Sequence, residues 1–197
     1  MTRALVVYCH PSESSFVAAV RDRVLAALRE TGAEVRLVDL YGDGFEPAVS
    51  ADDHRRHLTP TFDPDLERHA ADLRWCDVLV LVYPTWWAGQ PAMLKGWIDR
   101  VWTCGVAFTL PDGSSRLRPA LGNIRRLVVV TTHGSPKYVN ALEGEGGKRT
   151  VTRSLRAMCH RFARTTWLAM YGVDTASADA RQRFLDRVDR RLRRLAG

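Results

Sequence analysis

The sequence lacks the features that mark membrane, secreted and disulfide-rich proteins. None of its apolar runs approaches the roughly 20 residues that a membrane-spanning helix needs. The early apolar run, residues 4–8, is too short for a signal peptide. Its cysteines are scattered and form no CxxC pair, so we expect reduced thiols. These absences predict a cytoplasmic protein without a membrane span.

Two common nucleotide-binding motifs are also absent. The sequence contains neither GxGxxG nor a Walker sequence, which argues against a dinucleotide-binding Rossmann domain and a P-loop. His54 and His57 flank two arginines in a polar segment, residues 41–62, but we interpret this cluster as a solvated face. We therefore expect no metal site.

The net charge of +7 comes largely from arginines near the end of the chain. A basic surface for nucleic acid or membrane is one interpretation. Phe184, Val188 and Leu192 recur at helical spacing opposite those arginines, and Asp186 and Asp189 lie among them. We therefore predict a helix with a solvated basic face, and no nucleic-acid partner.

Strand-like and helix-like segments alternate along the chain. Short apolar runs predict buried parallel strands, an alternating run predicts a strand nearer the sheet edge, and residues at helical spacing predict helices between them. The predicted strands are Ala4–Tyr8, Glu34–Leu40, Val78–Tyr83, Leu127–Thr131 and Trp167–Val173. Two predicted helices begin at Phe16 and Pro91. Three others span Pro64–Trp75, Lys148–Arg164 and Ala176–Leu195. A turn is predicted at 111–113.

This alternation predicts a single α/β domain over residues 1–197. Five strands suit a flavodoxin-like parallel sheet of order 2-1-3-4-5, with helices on both faces. Trp97 and Trp102 fall on the apolar face of the helix after Pro91, so we assign them to the core.

Three loops that follow predicted strands carry residues suited to ligand binding. HPSESSF (10–16) leads into a helix N-terminus, which favours an anion, although simple serine capping explains it equally well. PTWWAGQP (84–91) holds adjacent tryptophans, which suggest a flat ligand with an apolar face. TTHGSPKY (131–138) is rich in hydroxyls. In the predicted sheet these loops meet at one edge, where open α/β sheets bind ligands.

The three segments HPSESSF, PTWWAGQPAMLKGWIDRVWTCGVAF (84–108) and TTHG...Y resemble the NAD(P)H:quinone reductase family, which has a flavodoxin-like fold and includes mammalian DT-diaphorase and bacterial quinone reductases. The middle segment is the most specific. The resemblance implies a tightly bound flavin, either FAD or FMN, and NAD(P)H as co-substrate. The implied reaction is ping-pong: NAD(P)H reduces the flavin, which then reduces a quinone-like acceptor by two electrons.

The resemblance also implies roles for individual residues. His10, Ser15 and Phe16 would lie along the flavin phosphates, and Tyr138 would stand over the exposed face of the ring. We also consider His133 as a general acid, so that Tyr138 and His133 are the candidate catalytic residues. The remaining implied flavin contacts are Pro84, Thr85, Trp86, Trp87, Thr131, Thr132 and Gly134.

Some positions depart from the family pattern. Val17 stands where many members have Asn, which leaves the choice between FMN and FAD open, and His133 replaces a glycine of the TTGG pattern. Ala88 replaces a large aromatic residue, which predicts a roomier substrate pocket. The family also implies a homodimer, whose interface could involve residues 41–62 and 108–118. Two other functions stay open: a flavin-binding regulatory subunit of a transporter, and an electron carrier, which the positive charge disfavours.

Overall fold

A five-stranded parallel sheet forms the centre of the structure, a computed structural model that describes residues 1–60, 63–111, 113 and 116–196. Its strands are β1 (Arg3–Tyr8), β2 (Glu34–Asp39), β3 (Val78–Pro84), β4 (Arg126–His133) and β5 (Arg164–Tyr171). They pair in the order β2-β1-β3-β4-β5, which confirms the predicted flavodoxin-like order. The sequences of β1 and β3 are continuous apolar runs. Both faces of these strands are covered, so positions along them are suited to apolar side chains.

The helices that connect the strands lie on both faces of the sheet. They are α1 (Phe16–Glu30), α2 (Ala51–Arg56), α3 (Glu67–Trp75), α4 (Ala92–Val101), α5 (Lys137–Leu142), α6 (Gly146–Arg149), α7 (Arg156–Met158) and α8 (Ala178–Ala196). Single 3-10 turns, Pro64–Leu66 and Val173–Thr175, precede α3 and α8. Among the described residues, no helix combines the length and the apolar composition needed to cross a bilayer.

Two apolar clusters, one on each face, hold the helices against the sheet. The first joins α1 and α8 to the sheet, and the side chains of Phe184, Val188 and Leu192 bury the predicted apolar face of α8. The second contains α3 and α4, and both Trp97 and Trp102 are buried there, as predicted. Both faces of the sheet are therefore covered by packed helices.

The predicted helix over Lys148–Arg164 is wrong in its second half. The helical segment starts with α6, widens into a π-helical turn at Thr150–Leu155 and ends with α7 at Met158. The next residue, Cys159, is extended, and Ala163 N–H donates to His160 O at 2.7 Å in a turn that leads into β5. Phe162 lies in this turn and not on a helix, and its side chain is exposed.

Smaller predictions were correct in part. Helix α2 lies within the polar segment 41–62, of which Thr61 and Phe62 lie outside the described residues, as does Asp112 in the turn predicted at 111–113. Arg118–Pro119 pairs antiparallel with Phe108–Thr109. Strand β4 continues through Thr132 and His133, which had been assigned to the following loop.

Gly96 sets the distance between α4 and the segment after β2, and we predict that Gly96→Ala destabilises the fold. A Cβ atom at Gly96 would lie 2.2 Å from Pro47 O and 2.7 Å from Pro47 Cα, both backbone atoms. Alanine in a helix is otherwise favoured by about 1 kcal/mol over glycine, so any loss must come from this clash. We expect a net loss of about 2 kcal/mol in the free energy of unfolding, measured by urea denaturation.

Gly122→Ala is the matched control, because a Cβ there meets nothing within 4 Å. Its unfolding free energy should equal that of the wild type or rise slightly. Equal stability of the two variants would show that the close approach between α4 and Pro47 does not constrain the packing.

Candidate functional site

A cavity of about 780 Å³ opens at the carboxyl edge of the sheet. The loops after β1, β3 and β4 form most of its wall, as predicted, and the turn after β5 with the start of α8 completes it. Its lining residues are His10, Ser15, Phe16, Val17, Pro84, Thr85, Trp86, Trp87, Thr132, Gly134, Ser135, Val173, Asp174 and Arg181. The cavity lies beside β1 and β3, at the topological switch point of the sheet.

One end of the cavity is suited to an anion. Ser15 is the N-cap of α1, and its hydroxyl accepts a hydrogen bond from Ala18 N–H at 3.1 Å. The first N–H groups of a helix lack partners within the helix and carry partial positive charge. The Arg181 guanidinium carbon lies 5.7 Å from the Phe16 ring centroid, and its Nε is buried with no hydrogen-bond partner among the described residues.

The other end of the cavity is aromatic and its backbone is strained. Residues 86–89 form a tight turn in which Trp86 and Gly89 exchange backbone hydrogen bonds of 3.0 and 3.2 Å. Trp87 and Ala88 have positive φ angles, 48° and 57°, which cost non-glycine residues about 1–3 kcal/mol each. Trp87 is fully exposed at the rim of the cavity.

Contacts from a distant segment hold this strained turn. Gly147 N–H donates to Ala88 O at 2.9 Å, and Gln90 Nε2 donates to Gly147 O at 2.8 Å. A Cβ at Gly147 would lie only 3.1 Å from Gly89 Cα, so a glycine allows the two backbones to approach this closely. Gly147 thus holds the tryptophan loop in this conformation through backbone contacts.

Strand β4 supplies the third wall of the cavity. Thr85 N–H donates to Thr132 O at 2.7 Å, which continues the pairing of β3 with β4 by one residue. Gly134 follows the end of β4, and a Cβ there would meet Asp174 Oδ2 at 2.5 Å. The side chain of Asp174 therefore covers the Gly134 backbone at this wall.

Behind Thr85 lies a buried polar cluster. Thr85 Oγ1 is 2.9 Å from Thr131 Oγ1 and 3.4 Å from His133 Nε2, and His133 Nδ1 is 2.6 Å from Asn140 Oδ1. The His133 ring stacks on Tyr171 at a centroid distance of 4.6 Å. Burial lowers the pKa of His133, although the hydrogen bond to Asn140 opposes this shift. The imidazole is therefore neutral near pH 7.

The structure places most of the predicted flavin contacts together, but three candidates lie elsewhere. Nine of them line the cavity: His10, Ser15, Phe16, Pro84, Thr85, Trp86, Trp87, Thr132 and Gly134. Thr131 and His133 are buried behind Thr85, with 1% and 7% of their surfaces exposed, so neither is part of the lining. Tyr138 is 68% exposed on α5, also outside the lining.

Sequence reasoning missed Val173, Asp174 and Arg181. Val173 and Asp174 directly follow β5, and the rule that the carboxyl ends of parallel strands meet at one edge could have placed these two near the other loops. Arg181 was grouped with the solvated arginines of the last helix, whereas it is the first of them and turns toward the cavity. Among the described residues, no group of three or more His, Cys, Asp or Glu side chains could hold a metal ion.

Comparisons with known proteins agree with this architecture. An "uncharacterized NAD(P)H oxidoreductase" from Escherichia coli strain K12 is 34% identical over 108 residues, or 54% of this chain, and the chain spans only 55% of that relative's length. "NAD(P)H dehydrogenase [quinone] 1" from Rattus norvegicus is 26% identical over 210 residues, covering 96% of this chain and 76% of the rat protein.

A solved structure matches nearly the full length of this chain. The NAD(P)H:quinone oxidoreductase from Methanothermobacter marburgensis is 25% identical, with a TM-score of 0.82 and coverage of 98% of both chains. The family described as "Flavodoxin-like fold" matches residues 2–195, nearly the entire chain. The chain therefore belongs to the flavodoxin-like fold family.

Proposed function

We propose that residues 1–197 form one flavin-binding domain that acts as an NAD(P)H:quinone oxidoreductase. The cavity is the observation that carries this proposal, because it joins a flat aromatic end to an anion-binding end at the switch point of the sheet. Two relatives with quinone-dehydrogenase or quinone-oxidoreductase names, from Rattus norvegicus and Methanothermobacter marburgensis, support the same reaction. The names of these two relatives mention neither a transporter subunit nor an electron carrier.

The residues of the cavity fit a flavin. Trp86 and Trp87 would provide apolar surface for the flat ring, and Pro84 and Thr85 line the cavity beside them in the chain. His10, Ser15 and Phe16 lie at the N-terminus of α1. There the flavin phosphate would accept hydrogen bonds from backbone N–H groups. Thr132 and Gly134, which also line the cavity, would offer backbone groups to one edge of the ring, and Thr131 would act there only through its contact with Thr85. A flavin bound here supplies the two-electron transfer from NAD(P)H to a quinone.

The protein's own task in this reaction is to position the reactants. Hydride transfer requires near contact between the reacting atoms, about 3–3.5 Å, so a flat slot above the ring matters more than a strong acid or base. We propose that the exposed Trp87 and Tyr138 border this slot, where NAD(P)H and the acceptor bind in turn. Ala88 does not line the cavity, so a roomier substrate pocket stays a prediction.

The choice between FAD and FMN depends on the anion-binding end. Arg181 and the N-terminus of α1 suit the phosphate that both cofactors share. Val17 replaces the Asn that many relatives use near the outer half of FAD, yet it lines the cavity. We propose that the cofactor is bound non-covalently through the shared phosphate.

We also propose that the protein works in the reducing environment of the cytoplasm. Its free cysteines, Cys9, Cys76, Cys104 and Cys159, are all buried. Burial raises the pKa of the Cys9, Cys76 and Cys159 thiols to about 12, so these thiols stay protonated and unreactive.

We expect the purified protein to bind FMN or FAD and to show flavin absorption bands. Anaerobic NADH or NADPH should bleach these bands, and a soluble quinone should restore them. Absorption spectra recorded before and after each addition check this. Bands that never bleach would contradict the proposed enzyme and favour a binding role, and the absence of retained flavin would contradict the proposed site.

Arg181→Met should weaken the binding of FMN and FAD by about tenfold or more and leave the affinity for riboflavin unchanged. The physical reason is the loss of a charge-assisted hydrogen bond to the phosphate, which riboflavin lacks. Quenching of flavin fluorescence gives all three dissociation constants.

Arg183→Met is the matched control, because Arg183 faces a different groove, against Ala169 and Phe184. It removes the same charge without touching the cavity. A loss restricted to FAD would instead assign Arg181 to the outer phosphate. An equal loss for riboflavin would contradict any phosphate contact.

We propose that two copies associate through the exposed apolar surface near the cavity. Trp87, Tyr138 and Leu142 are all exposed there or on the adjoining α5, a concentration that marks interaction sites. Sedimentation velocity over a range of concentrations should show a dimer, and Leu142→Glu should shift it toward monomer. A wild-type protein that sediments as a monomer at all concentrations contradicts this proposal.

A further inference from the structure

The polar cluster behind Thr85 fixes the direction of a hydroxyl group at the cavity wall, which bears on how the proposed flavin ring is held. Four side chains form the cluster: Thr85, Thr131, His133 and Asn140. Only Thr85 lines the cavity, and the other three are buried. Buried polar groups must satisfy their hydrogen-bonding capacity within the protein, so the direction of each hydrogen bond can be worked out.

The Asn140 amide determines which nitrogen of His133 carries a proton. Its Nδ2 group donates to Pro136 O at 2.9 Å and to Ser135 O at 3.3 Å. Both acceptors are carbonyl oxygens, so the NH₂ group must face them and Oδ1 must face His133. Since Oδ1 can only accept, His133 Nδ1 carries the hydrogen that it donates across 2.6 Å.

The other ring nitrogen is then an acceptor. A neutral imidazole has one protonated nitrogen, so Nε2 presents a lone pair toward Thr85 Oγ1 at 3.4 Å. Thr131 Oγ1 lies 2.9 Å from the same Thr85 oxygen. The arrangement that gives each donor an acceptor has Thr131 O–H donating to Thr85 Oγ1 and Thr85 O–H donating to His133 Nε2. Thr85 is left with one free lone pair, on the cavity side.

We propose that His133 is a positioning residue that draws the Thr85 hydroxyl proton away from the cavity, so that Thr85 offers a hydrogen-bond acceptor to an N–H group of the bound flavin ring. This inference rests on the proposed function for the identity of the ligand. The direction of the hydroxyl itself is argued without a ligand, from the four side chains and the Ser135 and Pro136 carbonyls.

Protonation of His133 would reverse this arrangement. A proton on Nε2 would donate to Thr85 Oγ1, and the freed Thr85 hydroxyl would turn its hydrogen toward the cavity. The neighbouring charges act on this equilibrium from several elements. Glu143 and Glu145, which follow α5, favour protonation, whereas burial against the Tyr171 ring of β5 opposes it. Lys148 on α6 pairs with Glu145 at 2.7 Å and reduces its effect.

The first test needs no ligand. In protein labelled with ¹⁵N at histidine, a long-range ¹H–¹⁵N spectrum at pH 7.5 should show His133 with a protonated Nδ1 and an unprotonated Nε2, and its loss in His133→Gln assigns the signals. The same spectra at lower pH give the midpoint of its titration, which we expect below the ordinary value for histidine. A protonated Nε2 at pH 7.5 overturns the proposal.

The second test uses riboflavin, because the phosphate of FMN titrates near pH 6 and would obscure the effect. As the pH falls through the measured midpoint of His133, the riboflavin affinity of the wild type should fall by about five- to tenfold, the worth of one hydrogen bond. Thr85→Ser keeps the hydroxyl, so its riboflavin affinity should show the same fall with pH as that of the wild type. Thr85→Val keeps the shape without the hydroxyl, and its affinity should not depend on pH over this range.

Asn140→Asp provides an independent readout at constant pH, because a carboxylate beside Nδ1 should hold His133 in its charged form. We expect it to weaken FMN binding about five- to tenfold with Thr85 present and less than twofold in the Thr85→Val background. Equal losses in both backgrounds overturn the proposal. If no flavin binds to the wild type, the proposed function fails, whereas the spectra still decide the tautomer of His133.

Discussion

Backbone pairing between β3 and its two neighbours sets the geometry of the whole carboxyl edge of the sheet. Val82 lies opposite Tyr8 on one side and Val130 on the other, so three strands run level toward the cavity. A slip of one residue in either pairing would exchange the two faces of a strand. The two faces of β3 pack in different clusters, Leu79 and Leu81 in one and Val80 and Val82 in the other, so a slip would misplace both sets of side chains. The loops after all three strands therefore start from fixed positions.

That register explains why Thr85 can serve as both a backbone and a side-chain link. Its N–H extends the β3–β4 ladder onto Thr132 O, which holds the residue at the cavity wall. Its hydroxyl lies within hydrogen-bonding distance of the Thr131 and His133 side chains. These two residues are two apart in β4, so their side chains point to the same face of the strand. A glycine at position 133 would leave no imidazole to accept from Thr85 or to donate to Asn140. The histidine therefore ties the loop after β3 to α5 through side chains alone.

Sequence patterns predicted the sheet because most of its strands are short apolar runs and β2 is an alternating run, and both patterns are typical of strands. The same patterns failed where polar residues continue a strand: Thr132 and His133 read as loop, yet pairing with Met170 and Tyr171 of β5 keeps them in β4. They failed again over Lys148–Arg164, where helical spacing of Val151 and Leu155 was followed past Met158. Tertiary contacts, which local patterns do not contain, decide both cases.

The residues of the candidate site also divide into those that sequence patterns could predict and those that they could not. The residues that lie in the loops after β1 and β3 could be found from sequence, since each loop follows a recognisable strand. Arg181 could not, because on a helical pattern it is one arginine among many, and only the turn at 173–175 aims it at the cavity. Tyr138 is the opposite case. Its position in the motif implied that it would stand over the flavin ring, whereas in the structure it lies on α5, outside the cavity lining.

The strained loop at Trp87 and Ala88 follows from these constraints. Pro84 ends β3 and Pro91 is the N-cap of α4, so only six residues join a strand to a helix that packs on the same sheet. The turn at 86–89 is tight enough to close that distance, and positive φ angles at two non-glycine residues are its cost. Hydrogen bonds to Gly147 offset part of that cost, because they lock the turn only in this conformation. The tryptophans are therefore held at the cavity rim by a segment that follows a different strand.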